Sequence, residues 1–290
     1  MYDVKIVSDS IAKGSRLTTV LATFPRILLA EQNTHRVFSR NTASSRAIPV
    51  LTRCDSIEAN PFIPESFGRA GKGMRAEQDL DPESSEKARA IWERLVKEAV
   101  AGARELAALK THKEHANRPT EPYAWVSQLI TSTEWENYFN LRTFTTAQPE
   151  MIKLSGMIKE AYEKSYPKQL SVGEWHTPFV DDQSHPHDRV RQSVARAAAV
   201  SYERQLATKT LAEEFKRHDD LLDAHHMSPF EHQACVIEGD DLLEHALHRW
   251  DKESKSFVPH SIGNFSVPWL QYRKMLPGEA VFRPNQGSAT

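Results

Sequence analysis

Apolar and polar residues alternate along the first 25 residues of the chain. In "YDVKIVSDS" (2–10) and "RLTTVLATF" (16–24) apolar side chains recur near every second position, and the turn "IAKGS" separates the two runs. This alternation is typical of β-strands with one buried face. The spacing then becomes helical after Pro25, a residue that helices tolerate in their first turn. We therefore predict a hairpin followed by a helix over 25–39.

Helical spacing dominates the middle of the chain. The run 82–110 predicts a long helix that Ser84 or Ser85 caps. Its predicted apolar face is formed by Ile91, Leu95, Ala99 and Leu106. Similar patterns predict helices over 121–142, 149–166, 192–205 and 210–225, a strand over 230–239, and a short helix at the end of 263–276.

Two stretches lack a regular pattern. Residues 52–82 are rich in Pro, Gly, Asp and Glu, and residues 171–191 also read as a loop. We predict that both are loop-rich insertions in one catalytic domain of residues 1–290. Strands and helices that do not alternate regularly indicate an α+β fold.

Composition and charge exclude several classes of protein. The chain has 290 residues, of which 39% are hydrophobic and 26% are charged, as in ordinary soluble proteins. Its net charge of −2 argues against general nucleic-acid binding. No apolar run approaches the roughly 20 residues of a membrane span, and the first residues do not resemble a signal peptide. The two cysteines form no C-x-x-C pair, so we expect a cytoplasmic protein without a metal site.

A concentrated group of anion-binding side chains lies in "THRVFSRNTASSRAIP" (34–49). It contains Arg36, Arg40 and Arg46, one histidine and five hydroxyl side chains, with no acid among them. Phosphate binding needs such arginines and hydroxyls together with free backbone amides. A polar surface loop after a helix is the alternative, and composition alone does not decide between the two.

Two further segments carry candidate chemistry. "NYFNLRTFTTAQPE" contains Asn137 and Arg142, although an arginine at a solvated helix end is also favourable for the helix dipole. "HHMSPFEHQA" brings three histidines close to Glu231, but without the H-E-x-x-H spacing of zinc proteases. The usual dinucleotide, P-loop and serine-hydrolase signatures do not occur in the sequence.

Together these segments resemble the flavin-dependent thymidylate synthases. The signature of that family, R-H-R-x-x-S-x-N-E-x-S-x-R, reads here "THRVFSRNTASSR". Thr34 and Thr42 replace the first arginine and the glutamate of the signature. The matching positions are His35, Arg36, Ser39, Asn41, Ser44 and Arg46.

The other blocks of the family also have counterparts. Its helix motif N-x-x-x-L-R matches Asn137 to Arg142, its S-P-F-E-H motif ends here at His232, and Arg118 with Pro122 fits a weaker pattern. The order differs from the common form, because S-P-F-E-H follows the signature. The blocks are thus similar to those of circularly permuted viral members. The resemblance implies mixed helices with an antiparallel sheet.

The resemblance implies reductive methylation of dUMP to dTMP by a homotetramer that shares active sites between subunits. FAD, NADPH and methylenetetrahydrofolate are the implied cofactors. Arg142 is the implied catalytic residue, because a permanent cation beside a pyrimidine oxygen stabilises the anionic ring. The implied FAD contacts are His35, Arg36, Asn137 and His232, with His232 near the folate side. The implied substrate contacts are Glu31, Thr34, Ser44, Ser45, Arg46, Arg118 and Arg142.

Two alternatives stay open. Thr34 and Thr42 lie in the segment that would contact the substrate, so a related flavin- and folate-dependent modification of a pyrimidine nucleotide, such as hydroxymethylation, is the first alternative. A non-catalytic nucleotide-binding protein with the same fold is the second, and the presence of Arg142 and His232 argues against it. A viral member would act in the host cytoplasm.

Overall fold

The computed structural model describes residues 1–144, 146–181, 185–200, 210–238, 248–251, 256–259, 262–276 and 279. Its helices are α1 (Leu29–Gln32), α2 (Val50–Ala59), α3 (Pro82–Ala108), α4 (Lys113–Ala116), α5 (Glu136–Arg142), α6 (Pro149–Lys164), α7 (Pro186–Ala199), α8 (Leu211–Asp223) and α9 (Tyr272–Met275). Short 3-10 turns cover Arg26–Leu28, Arg118–Tyr123 and Ser228–Glu231. Within the described ranges, no helix is both long and apolar enough to cross a membrane.

A five-stranded, mostly antiparallel sheet forms the centre of the fold. Its strands lie in the order β3–β4–β2–β1–β5, and only the short pairing of β1 with β5 is parallel. The strands are β1 (Asp3–Ala12), β2 (Ser15–Pro25), β3 (Ser39–Thr42), β4 (Trp125–Ser132) and β5 (Lys168–Gln169). The mixed α+β class predicted from the sequence is confirmed.

Two smaller sheets complete the described strands. One has the order β10–β7–β6 and contains β6 (Trp175–His176), β7 (Ala234–Val236) and β10 (Trp269–Gln271). The other pairs β8 (His248–Asp251) with β9 (Ser256–Pro259). The strand predicted over 230–239 is therefore present, although shorter than its pattern suggested.

The helix predicted over 121–142 is wrong. It begins in the 3-10 turn that ends at Tyr123 and continues as the strand β4, and an α-helix covers only Glu136–Arg142 at its end. β4 lies between β2 and β3, and Val126 through Ser132 are all buried. A strand that is buried on both faces shows no alternation of apolar and polar residues, so its pattern resembles that of a buried helix.

The helix predicted over 25–39 is also wrong in its second half. Helix α1 ends at Gln32, and Ser39–Thr42 joins the sheet as the edge strand β3. Backbone hydrogen bonds to β4 hold this segment, for example in the pairing of Ser39 with Thr131. Part of the segment predicted as a polar loop is thus fixed by main-chain pairing, which local sequence patterns do not reveal.

Both predicted loop-rich insertions contain more helix than expected. Helix α2 continues to Ala59 inside the first, and helix α7 begins at Pro186 inside the second. Proline in the first turn and His185 as the capping residue explain this second start. Residues 192–200 therefore form the later part of α7, and the remainder of the helix predicted to 205 lies outside the described residues.

Helix α3 agrees with the sequence in extent but not in orientation. Its cap is Asp81, whose carboxylate accepts the Ser84 backbone N–H at 2.9 Å, rather than Ser84 or Ser85. Its buried residues are Val96, Val100 and Ala103, which pack against α2. The predicted apolar face therefore points away from this contact, because α3 carries apolar residues on two adjacent faces.

The main core lies between the central sheet and helices α5 and α6. Trp135, Met151 and Leu154 pack there against Val20 and Ile130 of the sheet. The two cysteines are free and buried in other places, Cys54 between α2 and α3 and Cys235 in β7. Burial raises the pKa of the Cys235 thiol to about 11.

Candidate functional site

Helix α5 presents Arg142 at its C-terminal end. Trp135, Tyr138 and Phe139 are buried in the main core and anchor the helix. Ser155 of α6 donates a hydrogen bond to the Arg142 carbonyl at 2.7 Å, which ties the helix end to its neighbour. An arginine in the last turn also interacts favourably with the helix dipole. The backbone of Arg142 is therefore held from two sides.

The Arg142 guanidinium contacts three residues near the end of α1. Its Nε donates to His35 Nε2 at 2.9 Å, and its Nη2 donates to Thr34 Oγ1 at 2.9 Å. Its Nη1 lies 3.4 Å from Glu31 Oε1. Four of the residues singled out in the sequence, three of them for the substrate and one for FAD, thus come together around one guanidinium.

The contact with Arg142 fixes the state of His35. A guanidinium only donates hydrogen bonds, so His35 Nε2 must accept and the ring proton must be on Nδ1. Burial, with help from Arg142 and Arg40, lowers the pKa of His35 to about 4. His35 is therefore neutral at pH 7, and it orients Arg142 without cancelling its positive charge.

The two departures from the family signature have structural partners. Thr34 accepts from Arg142 and donates to the Glu31 carbonyl at 2.6 Å. An arginine at this position could not accept a hydrogen bond, so threonine suits this arrangement. Thr42 Oγ1 accepts from Gln128 Nε2 of the neighbouring strand at 2.7 Å.

A second cluster forms around Glu121. Its Oε1 accepts from Ser45 Oγ at 2.7 Å and from Arg118 Nη1 at 3.0 Å, and it lies 3.3 Å from Arg26 Nη2. The four side chains come from three segments of the chain. Ser45 and Arg118 were predicted as substrate contacts, whereas no motif identified Arg26 or Glu121.

Arg53 of α2 lies beside this cluster. It is only 5% exposed, and its Nε donates to Thr120 Oγ1 at 3.0 Å. Burial, together with the nearby Arg26, lowers the pKa of Arg53 to about 10, so the side chain keeps its charge at neutral pH. Its buried Nη2 makes no hydrogen bond within the described part of the chain. A buried cationic donor of this kind favours an anionic ligand.

A cleft of about 730 Å³ adjoins Arg53. It is lined by α2, by Ala43, Ala47, Ile48 and Pro49, and by Thr23, Trp125 and Ser127 of the central sheet. Its volume lies within the range of pockets for small molecules. The cleft therefore places a cavity of nucleotide size next to the arginine-rich cluster.

Five predicted site residues, Arg36, Ser44, Arg46, Asn137 and His232, stay outside both clusters. Arg36, Arg46 and Asn137 are exposed. Their side chains make no hydrogen bond or ion pair to other residues that the structure describes, while the Arg46 backbone N–H donates to Ser44 Oγ at 3.3 Å. These donors thus remain available to a ligand or to another subunit.

His232 lies elsewhere, inside the protein. Its Nδ1 is 2.8 Å from Thr131 Oγ1, and the hydroxyl of Thr131 is 2.8 Å from that of Thr19. Thr19 in turn is 2.8 Å from Nε2 of His176, whose Nδ1 is 2.9 Å from Ser10 Oγ. In the described ranges this buried chain of hydrogen bonds does not reach Arg142. No motif contains His176, so sequence patterns did not single it out.

Both buried histidines are neutral at ordinary pH. Burial lowers the pKa of His232 to about 3, with a smaller contribution from His176. Burial also lowers the pKa of His176 to about 3, against the opposing effect of Asp9. His232 Nε2 is buried and has no hydrogen-bond partner among the described residues.

Comparisons with known proteins give a partial structural likeness. No protein-family model and no curated protein matches this chain. It is similar to a solved structure of the UMP/dUMP methylase PolB from Streptomyces cacaoi bound with 5-Br UMP, with a TM-score of 0.49 and 14% identity, over 57% of this chain and 89% of that chain. For PolB bound with 5-Br dUMP the TM-score is 0.43 and the identity 17%, over 51% and 66% of the two chains. These partial superpositions do not define the family or the reaction of this chain.

Proposed function

We propose that this protein catalyses the reductive methylation of dUMP to dTMP. The observation that carries the proposal is the contact between Arg142 and His35, which are 107 residues apart in the chain. The two residues belong to the two separate segments from which a nucleotide site was predicted. Two polar segments without a shared function would not be expected to converge on one guanidinium. Here that guanidinium is oriented by uncharged residues from the other segment.

Arg142 polarises the pyrimidine ring in this proposal. Its Nε and Nη2 donate to His35 and Thr34, which are uncharged, so these two contacts orient the guanidinium without offsetting its charge. Its Nη1 faces only Glu31 among the described residues, at 3.4 Å. A cation oriented in this way would stabilise the anionic form of the ring, whose C5 carbon is the nucleophile. Glu31 and Thr34 lie at the same edge and would contact the base.

The cluster around Glu121 would hold the phosphate of dUMP. Three guanidinium groups, those of Arg26, Arg53 and Arg118, surround one carboxylate, which leaves a charge of +2 from three positive groups and one negative group. A phosphate monoester carries up to two negative charges and accepts hydrogen bonds from arginines and hydroxyls. Ser45 supplies the hydroxyl, with Ser44 and Arg46 on either side of it in the chain.

The residues available for FAD divide into two groups. Arg36 and Asn137 are exposed donors that fit a ligand bound at the protein surface or between subunits. His35 and His232 are buried. His35 would therefore act through its contact with Arg142, and His232 would contact a flavin only through its Nε2 atom, which has no partner among the described residues. When bound, FAD would supply the hydride it obtains from NADPH, and methylenetetrahydrofolate would supply the carbon. We propose a homotetramer in which neighbouring chains complete this site.

The test of the reaction is the mass of the product. The protein is incubated with dUMP, NADPH, FAD and methylenetetrahydrofolate, and the nucleotide is then analysed by mass spectrometry. A product that has gained one methyl group supports the proposal. A hydroxymethylated product would support the related C5 modification instead, and unchanged dUMP with FAD bound would indicate a non-catalytic relative.

Flavin binding gives a separate prediction. We expect about one FAD per chain at micromolar concentrations, and we expect Asn137→Ala to weaken binding about tenfold, the effect of losing one or two hydrogen bonds. Asn140→Ala is the matched control, since Asn140 is an exposed asparagine of the same helix. Flavin absorbance after equilibrium dialysis measures both. Absence of FAD binding to the parent protein would refute the proposed function.

A further inference from the structure

The outward side of α3 carries an apolar stripe whose three largest exposed side chains, Ile91, Leu95 and Leu109, are not covered by the described chain, while its other members are half-buried. Ile91 is 52% exposed, Leu95 36% and Leu109 78%, although the same helix buries Val96 and Val100 on its adjacent face. We call this side the outer stripe of α3; it consists of Ala88, Ile91, Leu95, Ala99, Gly102, Leu106 and Leu109. A helix of 27 residues is about 40 Å long, so the stripe is a long surface.

Gly102 suggests that something packs closely on this stripe. Glycine in the interior of a helix is less favourable than alanine by about 1 kcal/mol. A Cβ atom added to Gly102 would meet nothing within 4 Å, so the single chain provides no steric reason for glycine here. A side chain from another molecule that lies against the backbone at this point would provide one.

The stripe is complementary to itself in an antiparallel arrangement. When Ile91 lies against Gly102 of a second copy, Leu95 lies against Ala99 and Ala88 against Leu106 of that copy. Each of these layers pairs one large residue with one small residue, which fills the space between two helices evenly. Two-fold symmetry then repeats every layer on the other side of the axis.

The flanking charges select the same arrangement. Lys87 and Arg94 lie along one border of the stripe in its first half, and Glu98 and Glu105 lie along that border in its second half. The antiparallel register places Lys87 beside Glu105 of the second copy and Arg94 beside Glu98. A two-fold parallel arrangement would place this border against the opposite border of the second copy, so these opposite charges would not meet. Within one chain, Arg94 contacts Glu98 at 2.6 Å and Lys87 contacts Glu83 at 2.6 Å.

From these observations we propose that the outer stripe of α3 is a two-fold, antiparallel interface with a second copy of this chain. The argument uses only exposure, size and charge along α3, so it holds whether or not the protein methylates dUMP. If the protein is a tetramer, this contact is one of its interfaces.

Complementary charge reversal tests the arrangement. In a dimer of Lys87→Glu, two acidic side chains meet at each end of the interface, and in a dimer of Glu105→Lys two basic side chains meet there. Each variant should therefore associate with itself roughly tenfold or more weakly than the parent. A mixture of the two variants restores opposite charges at both ends and should associate as the parent does. The two positions are about 27 Å apart along one helix, so the rescue can occur only between molecules.

Light scattering coupled to gel filtration measures the mass, and chains with different tags report the mixed complex. Lys164→Glu on α6 is the matched control. Like Lys87, Lys164 is exposed and contacts one exposed glutamate in the preceding turn of its own helix. Ile91→Asp should halve the mass of the complex with unchanged circular dichroism, since Ile91 is not part of any buried cluster. A monomeric parent, or a parent whose mass is insensitive to Ile91→Asp and to both reversals, would overturn the proposal.

Discussion

Replacement of Arg142 by alanine is expected to slow dTMP formation by about a hundredfold or more, because a positioned charge in an active site is worth roughly 3 kcal/mol of barrier. FAD content should remain, since the exposed donors Arg36 and Asn137 are unchanged. The measurement is single-turnover product formation, which isolates chemistry from product release, together with the flavin absorbance of each sample. Near-normal turnover of the variant would refute the assignment of Arg142.

Two further variants sharpen this result. Arg142→Lys keeps the positive charge but loses the planar group that donates to both His35 and Thr34, so we expect partial activity. Arg104→Ala removes another arginine with two acidic partners, Asp55 and Glu58, in the contact between α2 and α3. It should leave turnover unchanged and thereby exclude a general effect of losing a paired arginine.

The free energy of unfolding should fall steeply when the pH drops below about 6.5. In the unfolded chain a histidine has a pKa of about 6.5, whereas His176 and His232 have pKa values of about 3 in the folded protein. Between these values the unfolded state binds more protons, so each histidine lowers the stability by about 1.4 kcal/mol per pH unit. Their full contribution is therefore present above pH 6.5 and is lost progressively toward pH 3.

Urea denaturation at a series of pH values measures this slope. His232→Gln removes one of the two titrating groups, so the slope between pH 6 and pH 4 should decrease relative to the parent. His115→Gln is the control, because it removes a solvent-exposed histidine that lies outside the buried hydrogen-bond network. An equal slope in the parent and in His232→Gln would contradict the buried, neutral state of His232.

The sequence predicted correctly those helices and strands that bury one face, because their apolar residues recur at regular spacing. The hairpin of β1 and β2 alternates visibly, and helices α3, α6 and α8 have helical spacing over long runs. β4 was missed because it is buried on both sides, and β3 because its pairing with β4 decides its conformation. In both cases the deciding contacts come from residues that are distant in sequence.

Sequence analysis predicted those residues of the candidate site that belong to short motifs. Thr34, His35 and Arg142 were named from short segments, and they lie together in the structure. Arg26 and Arg53 were not recognised, because single arginines near a strand end and in a helix have no signature. Their significance comes from a common position beside Glu121, which only the folded chain creates.

The burial of both cysteines has a practical consequence for spectroscopy. Cys54 and Cys235 are the only two thiols in the sequence, and burial raises the pKa of each, so reagents that attack thiolates react slowly with the folded protein. A single cysteine introduced at an exposed position can then be labelled selectively with a fluorophore or spin label. Pairs of such labels would report distances between segments of the chain and would test the proposed assembly and nucleotide binding, without prior removal of the native cysteines.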